Sequence, residues 1–196
     1  FGSFWGMSKL KKLDLGNNPT LECVFLKNVN VEDDTIFENL KEVNVSKCKN
    51  LRVIDIEQAG EKFTELDLSS NDKLNSLGLE CLRGLKQLKM PETDNLKELV
   101  VKETALESLA LEKYTKLDKV CVGGNQFNTL KINMEQKTEK DIENMYLLFD
   151  NNLKVEFISS KSGIVPNIKR LDNHNLWAGI VFSNYVVTDY EIPECW

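Results

Sequence analysis

Leu10-Lys11-Lys12-Leu13-Asp14-Leu15-Gly16-Asn17-Asn18 is the stretch that decides the fold. Its frame is apolar-x-x-apolar-x-apolar, followed by an Asn eight residues after the first apolar position. The same frame returns as Leu40-Lys41-Glu42-Val43-Asn44-Val45-Ser46-Lys47-Cys48 and as Phe63-Thr64-Glu65-Leu66-Asp67-Leu68-Ser69-Ser70-Asn71. Without the terminal Asn or Cys it continues as Leu85-Leu88-Met90, Leu106-Leu109-Leu111 and Phe127-Leu130-Ile132. A second set lies between these: Leu21-Val24-Leu26, Leu51-Ile54-Ile56, Leu74-Leu77-Leu79, Leu96-Leu99-Val101 and Leu117-Val120-Val122. Apart from one step of 19, each motif starts 10 to 12 residues after the last.

The spacing has a physical meaning. The second and third apolar positions are two apart, so they face one side of a strand. The first enters the same core from the bend before that strand. A lone motif cannot bury three such side chains, so successive units must stack. Each buried Leu-type side chain then contributes roughly 1.5–3 kcal/mol before chain entropy is counted. The chain is expected to be a solenoid in which two motifs make one coil of 21 to 23 residues after a longer first coil.

With its Asn or Cys after LKKLDLGNN, LKEVNVSKC and FTELDLSSN, the chain resembles the leucine-rich-repeat family over roughly residues 7–135. The resemblance implies an α/β repeat solenoid, mainly β: a right-handed superhelix with a concave parallel sheet, short convex strands and few helices. It implies that the Asn or Cys hydrogen-bonds neighbouring backbone where the chain leaves the concave strand. The coil length looks most like secreted or surface members from bacteria, which implies an extracellular or cell-surface location. After Asn71 the Asn slot is lost, and the later turns must satisfy their backbone groups in another way. The set starting at Leu10 is assigned to the concave sheet and the alternate set to the convex side. The solenoid is expected over residues 1–158, in about six to seven coils, with a capping segment over 159–196.

The ends carry their own signals. Phe1, Phe4, Trp5 and Met7 suit a shield for the first coil or contact with a further coil upstream. The first residues show neither an initiator Met nor a signal peptide, as in a piece of a longer chain. Asn30–Leu40, with an Asp-rich start, suits a helical turn on the coil edge. Thr138 with Asp141 reads as a helix cap, and Ile142, Met145, Tyr146 and Phe149 follow at helical spacing. Leu153–Phe157 alternates like a strand stacked on the coil of Phe127. After residue 159 no repeat is read. Leu176–Phe182 and Tyr185–Ile192 read as strands whose aromatic residues, Trp177 among them, plug the core.

Composition narrows the function. The chain has 196 residues, 25 basic and 31 acidic, for a net charge of −6. No basic stripe is present to neutralise phosphates, which argues against nucleic-acid binding. No apolar run approaches the roughly 18 residues that span a bilayer. The cysteines Cys23, Cys48, Cys81, Cys121 and Cys195 lack metal-ligand spacing, and the first four suit small buried packing residues. The single histidine, His174, sits in a polar turn with no nucleophile motif to support it. Gly123-Gly124 lacks the Lys-Ser/Thr of a phosphate loop. No cofactor motif is found, and the chain is read as no enzyme.

The outward positions of the first set carry the functional expectation. They run Asp14, Asn44, Asp67, Lys89, Ala110, Lys131 and Lys154 at mid-strand, with Lys12, Glu42, Glu65 and Gln87 among those two positions earlier. Stacked at about 4.8 Å, they form an acidic patch followed by a lysine row. Asp14, Glu42, Asn44, Glu65, Asp67, Gln87, Lys89 and Lys131 are the candidate contacts for a protein partner. Calcium at Asp14, Asn44 and Asp67 is disfavoured, because the ion prefers six to eight oxygens. Carbohydrate binding by the C-terminal aromatic residues, or substrate recognition for a larger enzyme, are the competing readings. In the alternate set Phe25, Asp55, Gly78, Val100 and Cys121 point outward, a less polar row suited to dimerisation or to cover by turns.

Overall fold

A computed structural model describes residues 7–27, 37–159 and 166–171. Phe1, Phe4 and Trp5 of the expected N-terminal shield, most of the inserted turn and the aromatic C-terminal strands, with Trp177, His174 and Cys195, lie outside the described residues; Met7 of that shield is exposed.

The chain is a mainly β parallel solenoid. β1 (Lys12–Asp14) is followed by β2 (Cys23–Leu26), β3 (Glu42–Asn44) by β4 (Val53–Glu57), β5 (Glu65–Asp67) by β6 (Ser76–Glu80), and β7 (Gln87–Lys89) by β8 (Glu98–Lys102). Then come β9 (Lys119–Gly123), β10 (Thr129–Asn133), the helix α1 (Glu139–Asn144), β11 (Tyr146–Asp150), β12 (Lys154–Ile158) and β13 (Ile168–Leu171).

The sheet assignment is reversed from expectation. The alternate set builds the continuous sheet, seven parallel strands in the order β2-β4-β6-β8-β9-β11-β13. The first set forms only two-stranded pieces, β1-β3, β5-β7 and β10-β12, and Leu106–Leu111 forms no strand. Turn chemistry explains the difference. Three residues into β1, Asp14 Oδ1 accepts from Gly16 N at 3.0 Å. Asn44 does the same to Ser46 and Asp67 to Ser69, at 3.1 and 3.0 Å. A side chain that binds backbone two residues on bends the chain and ends the strand.

The alternate strands run on for up to five residues and stop differently. Gln58, Cys81, Glu103 and Gly124, each just past a strand, have φ between 50° and 67°. This left-handed turn lets Gln58 N donate to Glu80 O, Cys81 N to Lys102 O and Glu103 N to Gly123 O, each at 3.0 Å. In the last, Gly124 N donates at 2.9 Å to the Asp150 carboxylate instead of a backbone carbonyl.

The core lies between the two sides, and the register aligns it. Val24, Ile54, Leu77, Leu99, Val120 and Leu147 occupy one row of the long sheet. Leu26, Ile56, Leu79, Val101, Val122 and Phe149 occupy the next. All twelve are buried. Phe37, at the end of the insertion, is buried and bridges Ala59.

The Asn slot behaves as the resemblance implies. Cys48 Sγ donates to Leu15 O at 3.1 Å. Asn71 Nδ2 reaches back to Val45 O and Cys48 O at 3.0 and 3.1 Å. In later turns Thr93 Oγ1 donates to Asp72 O at 2.7 Å and the buried Tyr114 hydroxyl to Pro91 O at 2.6 Å. Cys23, Cys48 and Cys121 are buried as expected, and Cys81 is half-buried.

The helix is shorter than its periodicity predicts. The capping box at Thr138 and Asp141 is present, but Met145 is extended and Tyr146–Phe149 belong to β11. Tyr146 N donates to Asp118 O at 2.8 Å, so sheet pairing takes the apolar run that spacing assigned to a helix. Beyond Ile158 the long sheet gains β13, although the sequence there carries no apolar triplet of the repeat.

Candidate functional site

The broken side carries the residues singled out by sequence. Lys12 pairs with Glu42, Asp14 with Asn44, Glu65 with Gln87 and Asp67 with Lys89 across parallel strands. Asn44 is half-buried and the other seven are exposed. The structure therefore brings them together in two blocks, β1-β3 and β5-β7, without strand pairing between the blocks.

The charges do not separate into an acidic patch and a lysine row. Lys12 Nζ sits 2.7 Å from Glu42 Oε1, and Lys89 Nζ lies 2.9 Å from Asp67 Oδ2. Asn44 Nδ2 donates to Asp14 Oδ1 at 2.9 Å. Each acid of the supposed patch, save Glu65, thus meets a donor from the adjacent strand. Hydrogen bonds from Ser69 and then from Lys89 hold the Asp67 carboxyl down at about 2. Hydrogen bonding to Glu42 and to Asp67 raises Lys12 and Lys89 respectively.

Lys131 stands apart. Its register partner is Glu156, not Lys154 as the spacing predicted, and Leu130 faces Val155. The expected register is two residues short because α1 lengthens the path between β10 and β11 beyond that of the earlier coils. Lys154 Nζ in turn donates to Glu156 Oε1 at 2.6 Å. Ala110 lies in the strandless stretch between β8 and β9.

The other side holds charges that sequence reasoning passed over. Along the last outward row of the long sheet stand Lys27, just after β2, then Glu57 on β4, Glu80 on β6 and Lys102 on β8, two acids flanked by two bases. Asp55 stands two residues before Glu57 on the same face. Lys27 Nζ contacts Asp55 Oδ2 and lies 2.9 Å from Glu57 Oε1; Lys102 Nζ contacts Glu80 Oε2. Asp55, Glu80 and Lys102 are only 2%, 8% and 5% exposed. Burial pushes Asp55 up to about 7, against the pull of Lys27, and raises Glu80 against the pull of Lys102. In sequence their only mark is a charged residue two positions beyond each of the mid-strand residues Phe25, Asp55, Gly78 and Val100. Next to this row Val100, Cys121 and Leu148 form a separate buried cluster with Tyr146 packed against it. The outward row is therefore not an open hydrophobic surface, except for the half-buried Phe25.

Among the described residues no group of three or more His, Cys, Asp or Glu is placed to hold a metal ion, and no helix is long and apolar enough to cross a membrane. No protein-family model, curated protein or solved structure matches the chain.

Proposed function

We propose that this chain is a leucine-rich-repeat-type binding module that recognises a protein partner through the broken side of the solenoid, outside the cell or at a bacterial surface. The observation that carries the reading is the exposed, in-register array of Lys12–Glu42, Glu65–Gln87 and Asp67–Lys89 on stacked strands. Within each strand pair such an array fixes charged and amide groups about 4.8 Å apart. Its groups position a ligand; their mixed signs favour specificity and encounter rate over raw affinity. The leucine-rich-repeat type draws support from Cys48 and Asn71, whose side chains bind the preceding turn in the way that family implies. The location draws on the coil length of 21 to 23 residues alone.

The test is affinity capture with the full chain, comparing wild type with the triple variant Glu42→Lys, Glu65→Lys, Asp67→Lys. Glu143→Lys, on the exposed face of α1, serves as the control. Proteins retained by wild type and control but lost from the triple variant support the broken side as the contact. Equal capture by all three removes that side from consideration. Binding on a glycan array that survives the reversals favours the carbohydrate reading instead.

A further inference from the structure

The long sheet carries a charge imbalance where water is largely excluded. Three carboxylates, Asp55, Glu57 and Glu80, share two ammonium groups, Lys27 and Lys102. The members span β2 to β8, four adjacent strands at one end of the sheet. Lys27 is divided between Asp55 and Glu57, while Lys102 contacts Glu80. Asp55 Oδ1 accepts no hydrogen bond among the described residues. On one flank it has Lys27. On the other lies Gly78, whose lack of a side chain makes room for the carboxylate but supplies no side-chain donor. Glu57 on its own strand and Glu80 on β6 add negative charge.

A buried carboxylate that shares its one ammonium partner with a second acid, and has one oxygen without a donor, is costly as an anion and tolerable as an acid. We propose that this cluster is a proton-held catch: a proton on Asp55 keeps the β2-β4-β6 end of the sheet closed, and its loss loosens that end. The held proton balances the cluster at two negative and two positive charges. Its release leaves one uncompensated negative charge among Lys27, Glu57 and Glu80.

The direction of the pH effect follows from the raised Asp55 group. Burial holds its folded-state value at about 7, against an ordinary 3.8. Between those two values the closed form keeps a proton that the opened form releases. Closure therefore weakens as pH rises across that window and levels off above it. One proton is released on opening, so the opening constant rises by up to tenfold per pH unit. The catch lies in the same turns as β1, β3 and β5, so its state reaches the proposed binding side without changing any residue there.

Hydrogen–deuterium exchange on the full chain tests the catch, with protection factors corrected for intrinsic exchange from pH 4 to 9. The expected result is a progressive loss of protection in β2, β4 and β6 up to about pH 7, and a plateau above. Amides of β10 and β12 serve as the internal reference and should show a shallower slope. In Asp55→Asn the β2-β4-β6 slope should flatten to that of the reference. Parallel slopes in wild type and Asp55→Asn overturn the proposal, as does an equal slope in the reference strands. Direct carboxyl NMR gives a second reading on the unmutated chain: titration of Asp55 in the ordinary aspartate range overturns it as well.

Discussion

The carboxylate of Asp55 lies across the bare backbone of Gly78 on the neighbouring strand. A Cβ built on Gly78 would stand 2.5 Å from Asp55 Oδ1 and 2.7 Å from Cγ. Glycine usually weakens a strand by its entropy and missing side chain, so its presence mid-strand in β6 needs a local cause, and Asp55 is that cause. Gly78→Ala is expected to destabilise the chain by about 1–3 kcal/mol through overpacking. In an Asp55→Ala background the same change should cost less or become favourable. Denaturant titration of the four members of this cycle measures the coupling; additive effects would show that the two residues do not constrain each other.

Gln58 offers a gain. It holds φ at 56°, a conformation glycine adopts without steric cost. Its Oε1 is buried without a hydrogen-bond partner among the described residues. Gln58→Gly should therefore stabilise the fold by about 0.5–1 kcal/mol. At the equivalent turn Gly124→Ala should lose about 1 kcal/mol, because its φ is 67°. Urea midpoints moving in opposite directions for the two variants are the expected outcome.

The side-chain bonds to backbone carbonyls should be individually measurable. Asn71 is fully buried and serves two carbonyls, Val45 O and Cys48 O. Tyr114 is likewise fully buried and serves one, Pro91 O. Asn71→Ala and Tyr114→Phe are each expected to cost about 1–3 kcal/mol, since a buried acceptor loses its donor. Thermal or denaturant unfolding checks this; a loss within error for Tyr114→Phe would mean water replaces the hydroxyl.

Acid should weaken the broken side through Asp67. Its carboxyl is held at about 2 by Ser69 and Lys89, below the ordinary 3.8. A depressed acid contributes stability above its unfolded value and loses it as pH falls through the folded one. The contribution of Asp67 should therefore fade between about pH 4 and pH 2. Asp67→Asn should flatten that part of the stability profile, and Ser69→Ala should move the NMR titration of Asp67 upward. An unchanged Asp67 titration in Ser69→Ala would rule out the serine as its main support.

Much of the architecture is legible in the apolar triplets. Leu40, Leu51, Phe63, Leu74, Leu96 and Leu117, each the first member of a triplet, are all buried, and so are the strand positions that follow them. The role of Cys48 and Asn71 is legible too, because a small polar side chain at a fixed place after a strand has few other uses. Which half of each coil forms the continuous sheet is not. Both halves alternate with the same period, and the deciding features are Asx turns on one side and left-handed turns at Gln58, Cys81 and Glu103 on the other. None of those three is glycine, so no residue type advertises the turn. The helix after Thr138 shows the same limit: its cap is local and readable, but its end is set by β9, which claims Tyr146–Phe149. On the candidate face, exposure of Glu42 and Asp67 follows from alternation, whereas their partners depend on register across strands. The buried charges on the long sheet look in sequence like any solvated row, because burial is a tertiary property.

The unequal sides of this solenoid give it a mechanical character. Hydrogen bonding runs unbroken along the long sheet from β2 to β13, whereas the opposite side is jointed between β3 and β5 and again between β7 and β10. Bending is then cheapest about an axis through the unbroken sheet, with the joints opening and closing like gaps between vertebrae. Changes of chain length follow the same asymmetry. An insertion at Glu107–Ala110 interrupts no strand, while one in Val120–Val122 would shift the stacking of every later turn. The jointed side is where such a scaffold has room to diversify, and the unbroken side is where it keeps its shape.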